Sequence, residues 1–135
     1  MIFVDASALI SIIAGEDDAD MLADRLEQER VRLISAMSAW ETVTGLCRSH
    51  TYSVPGAHEA LKRHIAAGGL EYVGIGEREF GIATQAYAEY GKGRHPAALN
   101  MGDCFAYACA KANRASLLFK GDDFTKTDIR AASQR

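Results

Sequence analysis

Short apolar runs alternate along this chain with longer stretches of helical spacing. Ile2-Phe3-Val4 is an unbroken apolar run that stops at Asp5, and it reads as a buried strand. Ser7 is placed to cap a helix over 9–14. Over 17–29 the spacing puts Ala19, Leu22, Ala23 and Leu26 on one helical face. Arg32-Leu33-Ile34 is a second strand. Ser35 or Ser38 then starts a helix carrying Ala39, Trp40, Val43, Leu46 and Cys47. Pro55-Gly56 opens the next helix, 56–67, which Gly68-Gly69 stops. A third strand is expected over 70–73. Phe80, Ala83, Tyr87 and Tyr90 mark a helix over Glu77–Tyr90, and 91–96 is a loop. Small apolar residues fill a buried helix over Met101–Ala112. The fourth strand, 116–119, runs into a turn over 120–123.

Strands that alternate with helices predict an α/β fold. The expected architecture is a mostly parallel central sheet of four or five short strands, flanked by helices on both faces. The 135 residues fit a single domain over 1–135, and 48% hydrophobic residues exclude a disordered chain. No apolar run approaches the ~20 residues of a membrane span, and no signal peptide is read at the start. The three cysteines, Cys47, Cys104 and Cys109, form no CxxC pair, which argues against a disulfide framework or a zinc site. A reducing cytoplasm is the expected setting. The net charge of -3 is unevenly spread: residues 1–45 carry -6 and the remainder +3. The basic surplus of the later part is available to phosphates, or is ordinary surface mixing.

In an open parallel sheet, ligands bind outside the carboxyl ends of the strands. Asp5 directly follows the first strand, and Asp122 and Asp123 follow the last. Glu41 and Asp103 fall in the early turns of helices whose starts return to the same edge. Each acid alone could cap a helix or polarise a turn. Together they place four distant acids at one edge. Two charges about 4 Å apart repel by roughly 4 kcal/mol at an effective dielectric near 20. Carboxylates gathered this way take up protons or hold a cation. A carboxylate-and-water site suits Mg²⁺ or Mn²⁺, which supports phosphoryl chemistry.

Four segments carry a family resemblance, in order and across nearly the whole chain. They are Ile2-Phe-Val-Asp5-Ala-Ser7, Ser35-Ala-Met-Ser-Ala-Trp-Glu41, Ala98-Leu-Asn-Met-Gly-Asp103-Cys-Phe and Leu117-Leu-Phe-Lys-Gly-Asp122-Asp123-Phe. The chain resembles the PIN-domain family and, within it, the VapC-type toxins of toxin–antitoxin pairs. That resemblance implies an Mg²⁺- or Mn²⁺-dependent endoribonuclease acting on RNA of the tRNA or rRNA class. It also implies a VapB-like antitoxin and a homodimer. Carried over by position, Asp5, Glu41 and Asp103 are the core acids. The fourth is Asp122 or Asp123, with Asp122 favoured because it follows Gly121. Ser7 is a further candidate near the metal. Lys120 and Lys126 flank the fourth acid and could meet phosphate, as could His95 beside Lys92 and Arg94. The amphipathic helices 17–29 and 56–67 are docking faces for a partner or plain packing surfaces. Trp40 either joins the core or walls the cleft.

Other readings predict other patterns. A phospho-receiver domain needs an acceptor aspartate after a central strand, and neither 32–34 nor 70–73 supplies one. A non-catalytic PIN-like binding module would lack one or more of the acids, and all are present.

Overall fold

The structure is a computed structural model that describes residues 1–132; residues 133–135, the end of the expected domain, lie outside the described residues. Four parallel strands form one sheet in the order β3-β2-β1-β4, within the expected four or five. They are β1 (Ile2–Val4), β2 (Arg32–Ile34), β3 (Leu70–Tyr72) and β4 (Ser116–Leu118). Between β1 and β2 lie α1 (Ala6–Ala14) and α2 (Ala19–Glu27). Between β2 and β3 lie α3 (Ala36–His50) and α4 (Val54–Gly68). Between β3 and β4 lie α5 (Glu77–Tyr90) and α6 (Met101–Ala112).

Side chains alternate across each strand, so a three-residue strand supplies both layers. Phe3, Leu33 and Leu117 point to one face, where α5 and α6 cover them with Ala83, Ala86, Ala106 and Cys109. Ile2, Val4, Ile34 and Leu118 point to the other, under Leu9 of α1, Leu22 and Leu26 of α2 and Leu61 of α4. Two apolar layers on one small sheet account for the near-continuous hydrophobic strands. Ala106, Ala108, Cys109 and Ala110 of α6 are all 3% exposed or less. Such small side chains let the helix press closely onto the sheet. Cys104 and Cys109 are free, buried core residues, as their apolar spacing predicted.

The chain runs outward from β1 through β2 to β3, then crosses to the other side of β1 to form β4. This reversal puts the topological switch between β1 and β4, and a crevice opens at the carboxyl end of such a pair. At the helix starts the structure departs from the sequence reading once and decides between two expected caps once. Asp5, not Ser7, is the N-cap of α1, and Ser35 rather than Ser38 caps α3. The competition at α1 is settled by β1. Its last residue is Val4, so the first extended residue with a side-chain acceptor is Asp5.

Candidate active site

Asp5 stands at the mouth of the switch crevice. Its backbone N–H donates to the Leu118 carbonyl at 2.9 Å, tying the ends of β1 and β4 together. Its carboxylate, in a residue only 5% exposed, accepts from the Ser7 N–H at 3.1 Å and the Ser7 hydroxyl at 2.6 Å. The same hydroxyl accepts the Lys120 N–H at 3.0 Å. Ser7 therefore links the acid after β1 to the backbone of the turn after β4.

Asp103 is the third residue of α6 and half of a capping box. Its Oδ2 accepts the Asn100 N–H at 3.1 Å, while its own N–H donates to Asn100 Oδ1 at 2.9 Å. The helix cap thus fixes the carboxylate at the positive end of α6. Glu41 reaches the same place from the second turn of α3. No hydrogen-bond donor meets its carboxyl group among the described residues. A side chain at Gly102 would collide with that carboxyl, at 1.7 Å from Oε2. Glu41 therefore lies directly over the backbone beside Asp103.

The charges of these acids act on one another. Burial, then the charges of Asp5 and Asp103, push the Glu41 carboxyl up to about 7. Burial, Asp5 and Asp123 push Asp103 up to about 6, against the pull of its Asn100 bond. Burial is also the main force raising Asp5, opposed by Ser7 and reinforced by Asp123. Three acids from β1, α3 and α6 thus share one electrostatic site, as their positions at strand and helix ends predicted. The acid of the last turn whose charge raises Asp5 and Asp103 is Asp123. It opens a short 3₁₀ helix, Asp123–Lys126, whose Phe124 is buried against Phe119. Asp122 is outside this set of charges, although Gly121 before it made it the favoured residue. Gly121, at φ 99°, takes a left-handed conformation, and the turn it makes carries the chain to Asp123.

Other candidates fall elsewhere. The Lys120 ammonium is held by Glu16 at 2.5 Å and Asp18 at 3.2 Å, so it is committed within the protein. His95 accepts the Ala97 N–H at 3.0 Å and packs edge-on against Tyr90, as a loop-shaping residue. Trp40 is 63% exposed and belongs to no core cluster. The role of Gly102 was missed from sequence, since a glycine in a helix carries no sign of what passes above it.

The donor set suits a hard divalent ion: carboxylates alone, mutually repelled, one without a donor. Among the described residues, no three His, Cys, Asp or Glu side chains are gathered into a set that could hold a metal ion as they stand. What speaks for Mg²⁺ is the chemistry of the donors, since Mg²⁺ is bound by one or two carboxylates and keeps several waters.

An α/β sheet with an acid cleft at its switch point defines the class. The chain belongs to the PIN-domain family, whose sequence profile matches residues 2–130. Its similarity is to the VapC group. A VapC ribonuclease of Mycobacterium bovis is 41% identical over 127 residues, covering 93% of this chain and 94% of that one. The ribonuclease VapC of Mycolicibacterium smegmatis is 38% identical, covering 95% and 97%. Among solved structures, Mycobacterium tuberculosis VapC20, a sarcin–ricin loop cleaving toxin, aligns over 100% of both chains with a TM-score of 0.73 and 17% identity. A toxin–antitoxin complex from Klebsiella pneumoniae aligns over 100% of both with a TM-score of 0.69, also at 17% identity.

Proposed function

We propose that the protein is a divalent-metal-dependent endoribonuclease acting as the toxin of a toxin–antitoxin pair. The observation that supports this most is the mutual charge coupling of Asp5, Glu41 and Asp103 at the β1/β4 switch. Kinship with curated VapC ribonucleases over nearly the whole chain supports it independently.

Asp5, Glu41 and Asp103 would hold Mg²⁺ or Mn²⁺, with Asp123 as the fourth acid. The ion would shield phosphate charge and activate water. Ser7 and Asn100 orient the Asp5 and Asp103 carboxylates before any ligand arrives. Glu41, without a donor, is free to orient the attacking water and receive its proton. Attack in line with the departing 3′ oxygen leaves 5′-phosphate and 3′-hydroxyl ends.

The substrate class is an exposed loop of tRNA or rRNA. A VapB-like antitoxin would restrain the enzyme. A cleft of about 310 Å³ between α2 and α4, lined by Leu9, Ile12, Ala23, Leu26 and Leu70, is a suitable seat for a partner segment. The exposed Phe80, Tyr87 and Met101 beside a groove between α5 and α6 suit a homodimer face. Free cysteines and the absence, among the described residues, of a helix fit to cross a membrane accord with a cytoplasmic setting.

The test is to express the protein briefly with and without its antitoxin and to map new RNA ends. Discrete cuts with 5′-phosphate ends, suppressed by the antitoxin, are expected. Cyclic-phosphate ends, or no new cuts, would overturn the proposal.

A further inference from the structure

The segment bearing Asp123 hangs between two anchors. Gly121, Asp122 and Asp123 are all exposed and contribute nothing to the core. On the far side, Phe124 is 3% exposed and packs on Phe119. On the near side the anchor is Lys120, gripped at both ends. Its N–H donates to the Ser7 hydroxyl at 3.0 Å, on the Asp5 side. Its ammonium reaches Glu16 at 2.5 Å and Asp18 at 3.2 Å, in the turn between α1 and α2.

That turn is itself tied down. Asp18 Oδ1 accepts from the Ser11 hydroxyl at 2.6 Å, and Ser11 is fully buried in α1. The second oxygen of Glu16 meets His50 Nε2 at 2.6 Å, at the last residue of α3. One lysine thus joins the turn after β4 to α1, the α1–α2 turn and the end of α3. Ion pairs this open to solvent add little to stability. They are weak as stabilisers, yet well placed to fix a position. The charges that shift Glu41 and Asp103 are those of neighbouring acids and of Arg48.

We infer that Lys120 is a positioning residue for the acidic cleft: held by Glu16 and Asp18, it fixes the near end of the segment that carries Asp123, and so sets the cleft's affinity for a divalent cation. This rests on the metal site proposed above. With the clamp released, Gly121 gives the segment conformational freedom and Asp123 swings away from Asp5 and Asp103.

Mn²⁺ titration of the purified protein without RNA, followed by the electron-spin resonance signal of free Mn²⁺, tests this directly. Lys120→Met should bind Mn²⁺ about three- to tenfold more weakly, while its thermal midpoint moves by no more than roughly 3 °C. Loss of a positive charge alone would tighten Mn²⁺ binding, so weakening marks lost position. Lys120→Arg should restore affinity. Glu16→Gln/Asp18→Asn, measured at high salt to screen charge, releases the clamp from the other side and decides the matter if Lys120→Met does not fold. Unchanged affinity in a folded clamp variant overturns the inference and leaves the nuclease reading standing. No Mn²⁺ binding by the unaltered protein overturns both.

Discussion

The carboxyl group of Glu41 lies against the α-carbon of Gly102, so closely that a β-carbon there would stand 1.7 Å from Oε2. Glycine is therefore required by a neighbour rather than by its own backbone. The obstructing atoms are the flexible end of a glutamate, which can swing aside at little cost. Gly102→Ala should leave stability unchanged or raise it by up to ~1 kcal/mol, since alanine is the better helix former. Cleavage should fall on the order of a hundredfold, the scale of misplacing a catalytic group by about an ångström. Thermal unfolding and a cleavage rate on one preparation check both halves.

The raised acids predict an unusual pH dependence for the metal-free protein. Glu41 titrates near 7 when folded and Asp103 near 6, against ordinary values of 4.5 and 3.8. Between those limits the unfolded chain has lost protons that the folded one keeps, so stability falls as pH rises. The loss should begin near pH 4 and level off above pH 7; the full shifts would amount to about 6 kcal/mol, and solvent at these partly exposed groups cuts that to an order of 1–3 kcal/mol. Mg²⁺ should restore stability at the alkaline end. Glu41→Gln should flatten the upper part of the curve. Denaturant midpoints from pH 4 to 8 measure it; a metal-free protein growing more stable across that range would contradict it.

Asp122 and Asp123 separate cleanly in a paired experiment. Asp123→Asn should lower cleavage by roughly a hundredfold, the scale of losing one preorganised electrostatic group. Asp122→Asn should stay within about threefold of the unaltered rate, because the charge of this turn that raises Asp5 and Asp103 is that of Asp123. The reverse ranking would move the fourth acid back to Asp122.

Tyr107, one turn beyond Asp103 on α6, offers a contrast. Its buried hydroxyl donates to Asp128 at 2.5 Å, tying the last described segment to α6. Tyr107→Phe should cost about 1–2 kcal/mol, the lower range for a hydrogen bond to a charged group, since Asp128 is half exposed. Activity per folded molecule should not change. A urea curve beside a single-turnover rate checks this.

Sequence carried the fold further than it carried the site. Glu77–Tyr90 and Met101–Ala112 were legible because helical spacing and flanking breakers agreed at both ends. The helix over 17–29 came out shorter, as Ala19–Glu27, because Asp17 and Asp18 belong to the turn that receives Lys120. Asp5, Glu41 and Asp103 were legible from their places at strand and helix ends. Asp123 was not separable from Asp122, since adjacent residues differ only in where a turn points them. Ser7 read as a cap, yet its hydroxyl spans from Asp5 to a residue that is 113 positions away. The Lys120 clamp and Gly102 were silent for the same reason. Their partners are remote in the chain, and only the closed sheet brings them together.

If Asp5, Glu41 and Asp103 jointly hold a divalent ion, as proposed, RNA cleavage depends both on the ion and on these carboxylates. The most direct measurement is cleavage of a tRNA or rRNA loop by the purified protein in Mg²⁺, in EDTA, and after Asp5→Asn or Asp103→Asn. Cutting in Mg²⁺ that vanishes in the other three conditions, with both variants still folded, is the predicted result. Cutting that survives EDTA, or survives both substitutions, would contradict it.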